Sequence, residues 1–135
     1  MPKNRYFLDA NILISGLLWN GNERKLLLLG ESRRIELISS MYVFRELQDV
    51  FAGFGFSEQK TAESLVYLRS FTELVDATDE EVAFCRNHLD DKTDIPILAA
   101  VIKSSGILVT GDKKLIRQGK KYVAVKTTKE VLDSL

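Results

Sequence analysis

Residues Arg5–Leu18 read RYFLDANILISGLL. Tyr6, Phe7 and Leu8 make a short apolar run with the bulk and aromatic content of a buried strand. Past Asp9, the residues Ile12, Leu13, Leu17 and Leu18 fall at helical spacing. A strand therefore hands over to a helix at an aspartate. In an open α/β sheet that is where ligands bind, outside the carboxyl ends of the strands. Asp9 and Asn11 are also good helix caps, because both side-chain types satisfy orphan backbone N–H groups. The position alone leaves both readings open.

Working outward, Trp19-Asn20-Gly21-Asn22 reads as a turn and Glu23–Leu29 as a helix stopped by Gly30. Ile35–Ile38 is a second strand, and Ser39-Ser40 offers a cap. In Met41–Phe51 the apolar residues Val43, Phe44, Leu47, Val50 and Phe51 trace one face of a helix. Glu46 lies about 100° from the centre of that stripe, on the border of the buried face. Gly53 and Gly55 break the chain before a helix from Ser57 to Ser70. Phe71–Val75 is a third strand, and Thr78 or Asp79 caps a helix over Glu80–Asn87. The acidic loop Asp90-Asp91-Lys92-Thr93-Asp94 then opens Ile95–Lys103. Periodicity alone fits a buried strand or a buried helix there; Ala99 and Ala100 favour helix, and Pro96 is tolerated in a first turn opened by Thr93 or Asp94. Ile107–Val109 is a fourth strand ending at Thr110-Gly111-Asp112. A helix over Lys113–Gln118, a strand over Tyr122–Val125 and a helix from Thr128 complete the chain. Strands alternate with helices throughout, which predicts an α/β class with a mainly parallel sheet and a single domain over residues 1–135.

The 135 residues are 45% hydrophobic and 28% charged, ordinary for a soluble globular domain with one core. The opening residues do not read as a signal peptide, since the apolar run after Arg5 is three residues long, and the longest apolar run, Ile95–Ile102, is far below the ~20 residues of a membrane span. One cysteine, Cys85, allows no internal disulfide, and a cytoplasmic location is expected. Cys85 and the lone His88 cannot furnish a zinc site, and His88 reads as a surface or helix-end residue. The formal net charge is zero, which argues against binding nucleic acid by bulk charge. Yet acids gather between Glu73 and Asp94, and after Asp112 come Lys113, Lys114, Arg117, Lys120, Lys121, Lys126 and Lys129. A balanced total can hide an acidic pocket beside a basic rim.

Four carboxylates sit in comparable places: Asp9 after strand one, Glu46 on the helix after strand two, Asp94 at a helix start, and Asp112 after strand four. Asp91 stands one turn before Asp94. In a parallel sheet such positions share one edge, although Asp94 and Asp112 also suit N-caps and Glu46 a solvated helix face. Converged carboxylates raise one another's pKa, and a divalent cation removes that penalty. Ligation by carboxylates alone suits Mg²⁺ or Mn²⁺. Such ions activate water and stabilise in-line displacement at phosphorus, as one ion or as a pair ~3.5–4 Å apart. The implied reaction is phosphodiester hydrolysis.

The stretches FLDANILIS, YVFRELQDV, DDKTDIPILAAVI and ILVTGDKKL, in this order, resemble the motifs of the PIN domain. That family is a metal-dependent nuclease fold that includes the VapC-type toxins of toxin–antitoxin pairs. The resemblance runs from Tyr6 to about Val125. It implies a three-layer α/β/α fold with a five-stranded sheet in the order 3-2-1-4-5, which places strands one and four side by side. It makes Asp9, Glu46, Asp94 and Asp112 the metal-binding and catalytic acids, with Asp91 a further metal ligand. Asn11 and Thr110 match positions that hold the acids in place. RNA as substrate, an antitoxin partner and a homodimer are implied in the same way. Lys113, Lys114 and Arg117 follow Asp112, and Arg45 adjoins Glu46, so these four are the expected phosphate contacts. Trp19 and Tyr42 are placed to stack on a base or to pack. Two other readings stand beside this one. One is a catalytically idle PIN-type module that binds RNA or protein. The other is a receiver-like phosphoacceptor domain, which would want an acidic pair after strand one and a phosphorylated aspartate where only Asp76 stands.

Overall fold

The structure, a computed structural model, describes residues 4–135. At its centre lies a five-stranded sheet in the order β3-β2-β1-β4-β5, parallel at every pairing. The strands are β1 (Arg5–Leu8), β2 (Glu36–Ser39), β3 (Thr72–Leu74), β4 (Ile107–Val109) and β5 (Val125–Lys126). Tyr6, Phe7 and Leu8 are each 0% exposed. Successive strand side chains point to opposite faces, so both faces of β1 are covered.

The covering layers are α1 (Ala10–Leu18), α2 (Asn22–Glu31), α3 (Met41–Gly53), α4 (Glu58–Arg69), α5 (Asp79–His88), α6 (Ile95–Ser104), α7 (Lys113–Gly119) and α8 (Thr128–Asp133). A 3-10 turn, Lys92–Asp94, leads into α6. Helix α1 packs on α2 and α3, α2 on α8, α3 on α4, and α5 on α6. The result is the three-layer α/β/α arrangement and strand order expected. Among the described residues no helix is long and apolar enough to cross a membrane.

What positions the site is the pairing of β1 with β2 on one side and β4 on the other. The strand order reverses there, and a crevice opens where the following helices diverge. Leu8 pairs with Val109, so Asp9 and Thr110, the next residues of each strand, stand side by side at that crevice.

Two elements depart from the sequence reading. Helix α2 runs through Gly30 to Glu31, and the stop comes later. The N–H of Arg33 donates to the Gly30 carbonyl and that of Arg34 to the Leu29 carbonyl, both at 3.0 Å. This is a Schellman closure with Arg33, not a glycine, in the left-handed region at φ 65°. Gly30 serves packing instead: a Cβ there would lie 2.3 Å from Cδ1 and 2.6 Å from Cγ of the buried Leu37. Gly30→Ala is therefore expected to destabilise the fold by about 1–3 kcal/mol, read from thermal melts. Strand β5 begins at Val125, not Tyr122, because the N–H groups of Tyr122 and Val123 both donate to the Gly119 carbonyl at 2.9 Å. Those bonds prolong the turn out of α7, and the ladder starts only afterwards.

Candidate metal centre

Asp9 is both a helix cap and a buried acid. Its Oδ1 accepts from the Ile12 N–H at 3.0 Å, which fixes the start of α1. Its Oδ2 accepts a short hydrogen bond from the Thr110 hydroxyl, delivered by the neighbouring strand. The residue is only 4% exposed. Burial pushes its pKa up, the bonds from Thr110 and the Ile12 N–H work against that, and the charge of Asp112 adds to the rise. Thr110 also accepts from the Asp112 N–H at 3.1 Å, so one buried hydroxyl ties the two acidic segments together. Asp112 itself caps α7, its Oδ1 accepting from the N–H groups of Lys114 at 2.9 Å and Leu115 at 3.2 Å. The side chain of Asn11 is exposed and makes no hydrogen bond to a described residue; its backbone N–H supports Asp9.

Glu46 reaches the same crevice from α3. Ser40 caps that helix through the Val43 N–H, and Val43, Phe44, Leu47 and Phe51 bury one side of it. Glu46 sits on the border of that face, as its spacing predicts. It is half-buried, and its Oε1 is buried with no hydrogen-bond partner among the described residues. Burial raises its pKa first and the charge of Asp9 second.

The acidic loop is held by α7. Asp94 stands at the N-cap of α6 but makes no capping bond, which leaves its carboxylate to other partners. Gln118 Nε2 donates to Asp94 Oδ2 at 2.6 Å, while Gln118 Oε1 accepts from the N–H groups of Asp90 and Asp91, both at 3.1 Å. Lys114 Nζ lies 2.8 Å from Asp91 Oδ2 and 3.6 Å from Asp94 Oδ1. The Lys114 bond, helped by two from Thr93, holds the Asp91 carboxyl well below the usual range. In return Asp91 raises the Lys114 pKa, and the charges of Asp94 and Asp112 add to this. The acids thus form two overlapping groups: Glu46 with Asp9 and Asp112, and Asp91 with Asp94 around Lys114, which also feels Asp112.

Of the expected phosphate contacts, Lys113 and Arg117 are exposed and Lys114 is turned inward to Asp91 and Asp94. Arg45 lies on a separate groove of about 610 Å³ between α3 and α4, which none of the candidate acids lines. Gln118 was not singled out by sequence. A buried glutamine between Arg117 and Gly119 in a polar helix carries no pattern that marks it.

Among the described residues no three His, Cys, Asp or Glu side chains stand ready to hold a metal ion together. Their chemistry nonetheless fits one. Asp9 is a buried carboxylate held against its own desolvation, and beside it the Glu46 Oε1 is buried without a donor. An oxygen-only donor set suits a hard divalent cation. The ammonium of Lys114 already offsets the acids at the other end of the crevice.

A PIN domain model matches residues 7–135. No curated protein matches the chain in sequence. Among solved structures, VapBC2 from Rickettsia felis, bound to a DNA fragment from its promoter, superposes with a TM-score of 0.68 at 20% identity, over 91% of this chain and 98% of that one. VapBC-1 from nontypeable Haemophilus influenzae gives 0.66 at 16%, over 93% and 98%. PAE2754 from Pyrobaculum aerophilum gives 0.67 at 18%, over 97% and 88%. At these identities the superpositions speak for the fold. With the family model covering nearly all of the sequence, the chain belongs to the PIN domain family.

Proposed function

We propose that the chain, acting as one domain, is a divalent-metal-dependent ribonuclease that hydrolyses RNA phosphodiester bonds as the toxin of a toxin–antitoxin pair. The observation that carries this reading is the orphaned, buried Glu46 Oε1 beside the buried Asp9, in a chain of the PIN family. Asp9, Glu46, Asp94 and Asp112 would hold one or two Mg²⁺ or Mn²⁺ ions, with Asp91 at the margin. When bound, the metal supplies Lewis acidity and activates water for in-line attack at phosphorus.

The chain's own residues arrange the acids for that task. Thr110 fixes the Asp9 carboxylate and the Asp112 backbone at once. Gln118 fixes Asp94 and the loop before it. Lys113 and Arg117, exposed on α7, meet substrate phosphates. Toxin–antitoxin complexes among the similar structures, such as that from Klebsiella pneumoniae, support an antitoxin partner for this chain too. A homodimer belongs to the same reading. A cytoplasmic home does as well, and it suits the free, buried Cys85.

The deciding experiment is cleavage of single-stranded RNA with Mn²⁺ or Mg²⁺ by wild type and by Asp112→Asn. Metal-dependent cleavage lost in the variant supports the proposal. No cleavage of any RNA pool under either ion overturns it and leaves the idle binding module. Lys114 gives a second check. Its ammonium pairs with two of the proposed ligands, so it opposes the entry of a cation. Lys114→Ala is expected to tighten Mn²⁺ binding about tenfold in titration calorimetry at low salt. Weaker binding in this variant would mean that the lysine holds the acids in place for the metal.

A further inference from the structure

Outside the acids lies an exposed aromatic cluster. Near the end of α5, Phe84 and His88 stack with ring centroids 4.1 Å apart. Tyr122, from the turn between α7 and β5, meets them edge-on at 5.5 and 5.9 Å, and its hydroxyl donates to the His88 carbonyl at 3.2 Å. The rings are fixed in place yet not covered: Phe84 is 39% exposed and Tyr122 37%.

Next to the cluster in the chain, a hollow of about 310 Å³ is lined by the cations Lys92, Lys114, Arg117 and Lys121, with Gln118 and the two acids Asp90 and Asp91. Lys114 and Gln118 are the residues that hold Asp94, so the hollow begins at the acids. At its other end Lys121 directly precedes Tyr122. The ammonium of Lys92 donates to the neutral carbonyls of Arg86 and Leu89 and makes no ion pair with a described residue. Arg117 and Lys121 make no ion pair with a described residue. A net charge of zero offers no bulk attraction for a polyanion, and the acids repel one. Attraction must therefore be local, and this hollow supplies it: four cations stand against Asp90 and Asp91, and Lys114 is the one that pairs with Asp91. Aromatic faces accept any unpaired base, whereas a duplex keeps its bases hidden.

We propose that Phe84, His88 and Tyr122 form a base-stacking platform which, with Lys92, Arg117 and Lys121 along the phosphates, holds a single-stranded RNA flank leading to the acids. The proposal rests on the nuclease reading for its direction, but its binding test is independent of cleavage. The test is fluorescence anisotropy of the metal-free full chain with a labelled, unstructured RNA, free and annealed to its complement. Wild type is expected to prefer the single strand. Tyr122→Ala and Phe84→Ala should each weaken single-strand binding about tenfold and leave duplex binding unchanged. Tyr122→Phe keeps the ring and loses only the bond to the His88 carbonyl, so it should stay within about twofold of wild type. Lys121→Ala should lower the salt slope by about 0.7. Alanine variants that bind the single strand as wild type does, or a Tyr122→Phe loss as large as that of alanine, overturn the platform. Cleavage then separates the two proposals. If wild type cuts RNA while the alanine variants bind normally, the nuclease stands and the platform falls. If binding depends on the rings while no RNA is cut, the platform stands and the nuclease falls.

Discussion

Asp9→Asn is expected to abolish RNA cleavage and, in the same protein, to raise the melting temperature of the metal-free form at neutral pH. Loss of activity should exceed about 10²-fold, because changing even the partners that orient metal ligands costs 10–100-fold. The gain in stability follows from the electrostatics of the acids in the metal-free form. The Asp9 pKa is raised because burial, with the charge of Asp112, outweighs the bonds from Thr110 and the Ile12 N–H. A carboxyl with a raised folded pKa keeps its proton longer folded than unfolded. It stabilises fully below the unfolded pKa, and that contribution is lost as pH rises through the folded pKa. Glu46 is raised in the same direction, partly by Asp9. At neutral pH both acids therefore work against the fold, and asparagine relieves both. Its side-chain oxygen can still cap the Ile12 N–H, and its amide faces Thr110, whose hydroxyl can turn to accept. Mn²⁺ should instead rescue wild type, adding about 2.7 kcal/mol at a hundredfold excess over its Kd. Melts of both proteins from pH 4 to 8, with and without Mn²⁺, decide the matter. A wild type that gains nothing from Mn²⁺, paired with an asparagine variant that melts lower at neutral pH, would make Asp9 a structural cap and end the metal reading.

The parts of this architecture legible in sequence are those where one residue type has few places to go. Tyr6-Phe7-Leu8 before Asp9 has to be a buried strand meeting a helix, and Ile107–Val109 before Thr110 repeats the form. Glu46 was legible as a border position because helical geometry fixes the angle from Val43 and Leu47. What was hidden depends on partners distant in sequence. Gly30 looks like a stop until Leu37 is placed against it, and the true stop is an arginine that accepts a left-handed backbone. Lys113 and Lys114 are indistinguishable as letters. Only the return of the acidic loop to α7 turns one toward Asp91 and leaves the other in solvent. Arg45 adjoins Glu46 in sequence, but neighbours on a helix point about 100° apart, and it lies on another groove. The aromatic cluster was hidden for the same reason, since Phe84 and Tyr122 meet only through tertiary packing.

Gln118→Leu should show how far the site depends on such a hidden partner. Leucine fills nearly the same volume in α7, so the helix and its packing should survive. What disappears is a bridge of three hydrogen bonds: one to the buried Asp94 carboxylate and two from the Asp90 and Asp91 N–H groups. The backbone groups lie near the surface, where water can replace Gln118. Asp94 is 7% exposed and cannot be so compensated. Losing a charge-assisted bond to such a group costs about 1.5–3 kcal/mol. The larger consequence is geometric. Asp94 makes no capping bond, so without Gln118 only Lys114 among the described residues, at 3.6 Å, restrains its carboxylate. Mn²⁺ affinity and RNA cleavage should each fall about 10–100-fold, as for other residues that orient a metal ligand. A double-mutant cycle isolates the cause. In the Asp94→Asn background, Gln118→Leu should cost little further affinity, with the two changes coupled by about 1–2 kcal/mol. If Gln118→Leu lowers stability yet leaves Mn²⁺ affinity and cleavage within about twofold of wild type, the glutamine braces the loop alone. Asp94 would then owe its orientation to Lys114, and the expected order of effects between Lys114→Ala and Gln118→Leu would invert.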